Sequence, residues 1–286
     1  MNKILKRITY LLSDKVYLNI IYYKFFHKRL NLKNPKTFNE KLQWLKLYDR
    51  KAEYTKMVDK YEVRSYVKEK LGNEVLIPLL GVWNSFDEID FNLLPNEFVL
   101  KCTHDSGGIK ICTNKKDFKL KEAKLFFDRK LKNNFYYYGR EWPYKNVRPK
   151  IIAEKLMKDS TSDDIKDYKF MCFNGKVKCS FVCTDRFKKN DLKVTFFDKD
   201  WNVLPFERHY PKSQEAISKP KNYDKMVNYS EILAENTTFV RIDFYEINGD
   251  VYFGEITFYP GSGFEEFKPE EWDEILGTWI DLNDKL

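Results

Sequence analysis

Apolar residues recur at helical spacing early in the chain and alternate with polar ones later, so helices should precede strands. Ile4, Leu5, Ile8, Leu11 and Leu12 fall on one helical face. Thr37 and Glu40 have capping-box spacing, which predicts a helix through Trp44 and Leu47. Another helix is expected over Glu53 to Leu71, ending at Gly72. Strand-like runs follow at Val75 to Leu80 and Glu97 to Cys102, then a glycine loop, THDSGG. Residues 117–133 read as a lysine-rich helix. Pro143 and Pro149 bracket a linker before an apolar strand from Ile151 to Leu156.

The second half is richer in strands. Tyr168 to Phe173 and Lys176 to Cys183 flank Asn174-Gly175, a hairpin signal. Val194 to Phe197 and Val203 to Phe206 flank the turn-forming DKDWN. Residues 211–224 read as loop and 225–235 as helix. The pattern predicts an α+β, mostly antiparallel protein in two lobes, with a hinge near 150–158.

Val240 to Gly263 reads as two strands with an acid on each, Asp243 and Glu255. Alternation puts Arg241 and Asp243 on one face, with Val240, Ile242 and Phe244 on the other. Glu255 and Thr257 likewise share a face. Two carboxylates and a guanidinium on one sheet surface can hold a divalent cation and a phosphate together. A regular two-residue turn at Asn248-Gly249 would set Asp243 opposite Gly254 and turn Glu255 away. The reading therefore requires an odd loop or a bulge.

Composition narrows the alternatives. At 286 residues with 19 Tyr and 23 Phe, the chain can build a substantial core. Its five cysteines form no CxxC pair and no zinc-type spacing, as expected of reduced, partly buried thiols. A net charge of +8 suits an anionic partner, but the lysines are scattered and no nucleic-acid-binding signature is present. No segment reaches the ~18 uninterrupted apolar residues of a membrane span. Residues 1–30 read either as a helix docked on its own protein or as one lying on a membrane surface.

Four segments occur in a telling order: Asp59-Lys60, VLKCTHDSGG at 99–108, IIAEKL at 151–156, and RIDF…GEITFYPGSG at 241–263. The set resembles the ATP-grasp fold over residues 35–270, with two α/β lobes clasping a nucleotide. FNEKLQWLK and EITFYPGSG make it most similar to the TupA-like group, associated with teichuronopeptide and capsular-polysaccharide gene clusters. Residues 1–56 read as a helical region, and the resemblance implies a first lobe at 57–150 with a phosphate loop, then a hinge and metal-binding lobe at 151–286.

It also implies ATP and Mg2+ as cofactors. Lys60 and Lys101 correspond to nucleotide lysines, Ser106, Gly107 and Gly108 to the loop over the phosphates, and Glu154, Lys155 and Leu156 to the adenine-holding hinge strand. Asp167 stands where many relatives place a ribose-binding acid. Arg241 corresponds to the residue steadying the transferring phosphate, and Asp243 and Glu255 to magnesium ligands. Many relatives have Asn two residues after the metal Glu; here it is Thr257, whose hydroxyl is a weaker ligand.

Other readings stand beside these. Alone, Lys101 reads as a solvated strand end and Glu154-Lys155 as a surface pair. Asp243, Glu255 and Arg241 also suit an ordinary salt-bridge network. His104, with no acidic orienter identifiable, reads as a loop contact to phosphate or solvent rather than a general base. The aromatic run 135–144 suits either packing or a sugar platform.

The resemblance implies an ATP-dependent carboxylate–amine ligase that forms an amide through an acyl phosphate. Its carboxylate would belong to a uronic acid of a surface glycan or precursor, and its amine to an amino acid. Asp198-x-Asp200 raises a glycosyltransferase using a nucleotide sugar as an alternative. A non-catalytic protein binding acidic glycan is a third reading. The expected location is the cytoplasm, with residues 1–30 a candidate contact with the inner membrane face.

Overall fold

A computed structural model describes residues 10–160, 165–184 and 192–282. Positions 4, 5 and 8 of the expected N-terminal stripe lie outside the described residues. The chain forms two compact units, residues 51–163 and residues 1–50 with 164–286. The architecture is α+β with antiparallel sheets, as the periodicities predict.

In residues 51–163, helix α3 (Ala52–Val58) and helix α4 (Val63–Leu71) replace the single helix expected over Glu53 to Leu71. The break is chemical. Buried Asp59 accepts the amides of Tyr61 at 2.8 Å and Glu62 at 3.2 Å. A side chain that takes backbone donors in this way competes with helix propagation.

The sheet of this unit runs β1 (Leu79–Trp83), β4 (Ile151–Lys155), β2 (Phe98–Cys102), β3 (Ile109–Cys112). The strand expected from Val75 begins only at Leu79, while Arg64 Nη2 donates to the Ile77 carbonyl and Lys155 N to that of Pro78. Phe98, Leu100 and Cys102 point into a core with Phe127 of helix α5 (Leu120–Leu131), Ile151 and Ala153. Alternation therefore turns Val99 and Lys101 to the other face.

The second unit opens with helix α1 (Asp14–Phe26) and helix α2 (Phe38–Tyr48). The capping box forms as predicted: Glu40 N donates to Thr37 Oγ1 at 3.1 Å, and Thr37 N to Glu40 Oε2 at 3.3 Å. Five strands follow, in the order β10 (Asp250–Thr257), β9 (Phe239–Ile247), β5 (Asp167–Phe173), β6 (Lys176–Thr184), β7 (Lys193–Phe197). Asn174 and Gly175 both take positive φ, making the turn their sequence demands.

Helix α7, after the four-residue helix α6 (Tyr136–Gly139), spans Tyr223–Leu233 and covers one face of this sheet. Its Tyr223 and Tyr229 rings lie against Phe170 and Phe244. The expected strand at Val203 to Phe206 shrinks to one bridge between Val203 and Phe197. Two features escape the sequence periodicity: the short pair β8 (Glu207–Arg208) with β11 (Phe267–Lys268), and helix α8 (Glu271–Thr278).

Candidate active site

The face of the five-stranded sheet opposite α7 carries the charged cluster. Asn248 and Gly249 do form a two-residue turn, with φ of 53° and 86°, and Ile247 faces Asp250. A bulge between Phe253 and Glu255 then leaves Gly254 as the extra residue. Asp243 faces Glu255, and Arg241 faces Thr257. The register that the acids require thus comes from the bulge and not from the turn. The same bulge keeps Val251, Phe253 and Ile256 all buried on the apolar side. At Gly254 a Cβ would stand 3.1 Å from the Asp243 carbonyl, so a bare backbone suits this crowding.

Arg241 gathers the cluster. Its Nε donates to Asp243 Oδ1 at 2.7 Å, and its Nη2 to Asp243 Oδ2 and Glu255 Oε1, each at 2.7 Å. Nη2 also meets Thr257 Oγ1 at 3.0 Å, and that hydroxyl donates to Glu255 Oε1 at 3.2 Å. Strand β5 supplies two further charges. Lys169 Nζ bonds Asp243 and lies 2.7 Å from Asp167. Lys169 was absent from the sequence-derived site, although its alternation with Asp167 in DYKFMCF marks both for one face.

Burial opposes charge throughout this cluster. It would lower the pKa of Lys169 and Arg241, yet the surrounding carboxylates hold both above their ordinary values. Burial pushes Asp243 up against the pull of Arg241 and Lys169. With cationic donors on both its oxygens, Asp243 is placed as the anion of a buried ion network.

Two carboxylates and a hydroxyl converge here on a single guanidinium nitrogen. Magnesium is held by one or two carboxylates together with phosphate oxygens and water. The donor set of Asp243, Glu255 and Thr257 fits that demand, with Glu255 the more open carboxylate, its side chain 38 % exposed. Among the described residues no group of three or more His, Cys, Asp or Glu offers an all-protein metal cage.

The other sequence-derived residues lie in residues 51–163. Glu154, 9 % exposed, takes Lys101 Nζ at 2.6 Å and Arg64 Nη1 at 3.0 Å. It is therefore no surface pair with Lys155, which is exposed at the end of β4. Lys101 is likewise no free strand end. Leu156 follows, half-buried, just past the strand. Arg64 was not legible as a partner, because Glu154 lies 90 residues away in the chain.

Lys60 and the glycine loop do come together. Lys60 Nζ donates to the Asp105 carbonyl at 2.7 Å, and Lys60 N to that of Thr103 at 3.1 Å. Cys102 N donates to Gly108 O at 2.7 Å and closes the loop base. Lys130 of α5 lies 2.8 Å from Asp105 Oδ2. Thr103, His104 and Asp105 are buried, so only Ser106 and Gly107 project, with Gly107 at φ 78°. Burial pushes the Cys102 thiol up to about 12, which leaves no thiolate nucleophile beside the loop.

His104 differs from its sequence reading. It is 3 % exposed and faces the carbonyls of Lys130 and Asn133 through Nε2, at 3.2 and 3.1 Å. Two acceptors fix Nε2 as the protonated nitrogen, so the ring braces the loop against the end of α5. Burial lowers its pKa below the usual histidine range. The unfolded chain then binds a proton at a higher pH than the folded one. Stability contributed here is complete above about pH 6.5 and falls as pH drops through the folded pKa. His104→Gln should flatten the fall in Tm between about pH 7 and pH 5, read by thermal unfolding across that range. An unchanged pH profile would refute the brace.

The two phrases FNEKLQWLK and EITFYPGSG also meet. Gln43 Nε2 donates to Gly263 O at 2.7 Å, and Lys46 Nζ to Ser262 O at 2.7 Å. Lys46 is fully buried and lies 4.6 Å from the Phe264 ring centre. Helix α2 therefore fixes the loop that follows Thr257. Asp198, by contrast, spends its carboxylate inside its own turn, accepting Asp200 N at 2.9 Å and Asn202 N at 2.8 Å.

No curated protein matches the chain. Among solved structures, the chain is similar to D-alanine–D-alanine ligase from Bacillus anthracis complexed with ATP, at 15% identity and TM-score 0.41, over 70% of this chain and 54% of that one. The corresponding ligase from Helicobacter pylori gives 14% identity and TM-score 0.45, over 80% and 62%. N5-carboxyaminoimidazole synthetase from Staphylococcus aureus gives 14% identity and TM-score 0.42, over 79% and 52%. The chain thus spans a little over half the length of these structures. The family model described as TupA-like ATPgrasp matches residues 40–281. That span takes in most of α2, both main sheets, the glycine loop and the acidic hairpin, and the chain belongs to the TupA-like ATP-grasp family.

Proposed function

We propose that the protein is an ATP-dependent carboxylate–amine ligase, acting on a uronic acid of a surface glycan or its precursor with an amino acid as the amine. One observation carries the reading: Arg241 Nη2 touches Asp243, Glu255 and Thr257 together on one sheet face. A magnesium ion bound by Asp243 and Glu255 would neutralise phosphate charge and orient the triphosphate.

The chain's own residues do the rest by position and charge. Lys60 and Lys101 supply ammonium groups toward the nucleotide, and Ser106 to Gly108 supply backbone amides for its phosphates. Glu154, Lys155 and Leu156 line the adenine, and Asp167 reaches the ribose. The substrate carboxylate attacks the γ-phosphorus, giving an acyl phosphate and ADP. Arg241 steadies the charge that develops on the transferring phosphoryl group. The amine then attacks the acyl carbon, an amide forms, and phosphate leaves with the electron pair of the broken bond. The reaction is assigned to the cytoplasm, where ATP is supplied.

The test is phosphate release from ATP, screened against uronic acids paired with amino acids. Release that requires both partners supports the ligase. A stable phosphate ester with no free phosphate would make the protein a kinase. Asp198→Ala provides the contrast with a nucleotide-sugar transferase, because its carboxylate is bound into the DKDWN turn. It should leave ATP-induced thermal stabilisation unchanged and lower stability by only about 1 kcal/mol. Stabilisation by UDP-sugars alone, lost in this variant, would reverse the ranking.

A further inference from the structure

Helix α1 is apolar on two opposite sides. Tyr17, Leu18 and Tyr22 are buried and pack with Leu30 and Phe264. On the other side Val16, Ile20 and Tyr23, at i, i+4 and i+7, are 47, 53 and 58 % exposed. Just before the helix, Leu11 is 87 % exposed and Tyr10 48 %. A helix apolar all round is normally covered on every side, and an exposed stripe of this kind marks an interaction surface.

Charge indicates what covers it. At 100° per residue, Lys24 and Lys15 flank the stripe on either side, and both are exposed. Residues 10–33 hold Lys15, Lys24, Lys28, Arg29 and Lys33 against a single acid, Asp14. That acid is engaged by Arg50 at 2.6 Å, and Lys28 pairs with Glu270. The segment thus joins an apolar stripe, tyrosines and flanking cations, the combination that suits an anionic lipid interface. No helix among the described residues is long and apolar enough to cross a membrane.

We propose that the Val16–Ile20–Tyr23 face of α1 docks on an anionic bilayer surface and holds the enzyme there in the membrane plane. The inference does not depend on the ligase reading. The test is sedimentation of the full chain with vesicles of phosphatidylcholine alone, or with about a third phosphatidylglycerol. The protein should sediment with the anionic vesicles, and less so as salt rises. Ile20→Asp with Tyr23→Asp should lower partitioning roughly tenfold or more, with Tm unchanged. Lys15→Glu with Lys24→Glu should remove most of the anionic preference.

An Ile20→Trp variant guards against misfolding of the acidic one. Its emission should shift to the blue with anionic vesicles, beyond any shift of the parent. Equal partitioning of parent and variants, or no emission shift, would overturn the proposal. So would self-association of the parent that Ile20→Asp abolishes without any vesicle binding, since a second copy would then be the occupant.

Discussion

Asp243→Asn is expected to cost about 1.5–3 kcal/mol of stability, because Lys169 and Arg241 lose charge-assisted bonds in a buried site and keep only Asp167 and Glu255 as anionic partners. Asp243 is 1 % exposed and touches both cations. Two cations and two carboxylates remain, so the cost is that of the lost charge-assisted bonds rather than of a stranded charge. Chemical unfolding would read this directly. Lys169→Met combined with Asp243→Asn should deepen the loss, since it also takes the cation from buried Asp167.

Glu255→Gln separates stability from chemistry on the same face. Glu255 is the partly open member, and it meets Arg241 Nη2 and Thr257 Oγ1. Tm should move little, while ATP-dependent phosphate release falls by roughly 100-fold or more. Full activity in Glu255→Gln, with intact folding, would remove the hairpin from the reaction.

Gly108→Ala is the second large effect. A Cβ at Gly108 would lie 2.2 Å from Asp105 Oδ1 and 2.8 Å from Cys102 Cβ. The Asp105 carboxylate cannot simply swing aside, since Lys130 Nζ holds its other oxygen at 2.8 Å and the side chain is buried. The loop must therefore shift, and the amides of Ser106 and Gly107 shift with it. Misplacement on the scale of an ångström costs about 100-fold in rate. Steady-state kinetics should show kcat/KM for ATP lowered by that order, and Asp105→Ser in the same chain should restore part of it. Gly107, where a Cβ would meet nothing within 4 Å, is constrained by its positive φ instead.

Much of this site was written in the local sequence. The capping box at Thr37 and Glu40, the Asn174-Gly175 turn and the alternation of Arg241 and Asp243 each follow from chemistry acting over a few residues. Even the need for an irregular register was legible, because acids twelve residues apart, at 243 and 255, cannot share a face across a regular two-residue turn. Whether loop or bulge supplied it was not. The choice depends on crowding between Gly254 and the Asp243 backbone, and on burying Phe253 and Ile256 together.

Partners drawn from distant strands were decided only by the tertiary structure. Lys169 joins Asp243 across 74 residues, Arg64 joins Glu154 across 90, and Lys46 reaches Ser262 across 216. No local period encodes such pairs; they exist because burial compels a charge to find whatever polar partner the fold brings near. His104 shows the same limit from the other side. As a residue in a glycine loop it reads as a contact to phosphate or solvent, and it becomes a buried brace because the end of α5 presents two carbonyls to its ring. The sequence by itself thus determined the α+β alternation, the loop and the two acids, since these rest on short-range geometry. The ion network that holds the acids, and the clamp beneath the loop, were left to the folded chain, where desolvation selects the partners.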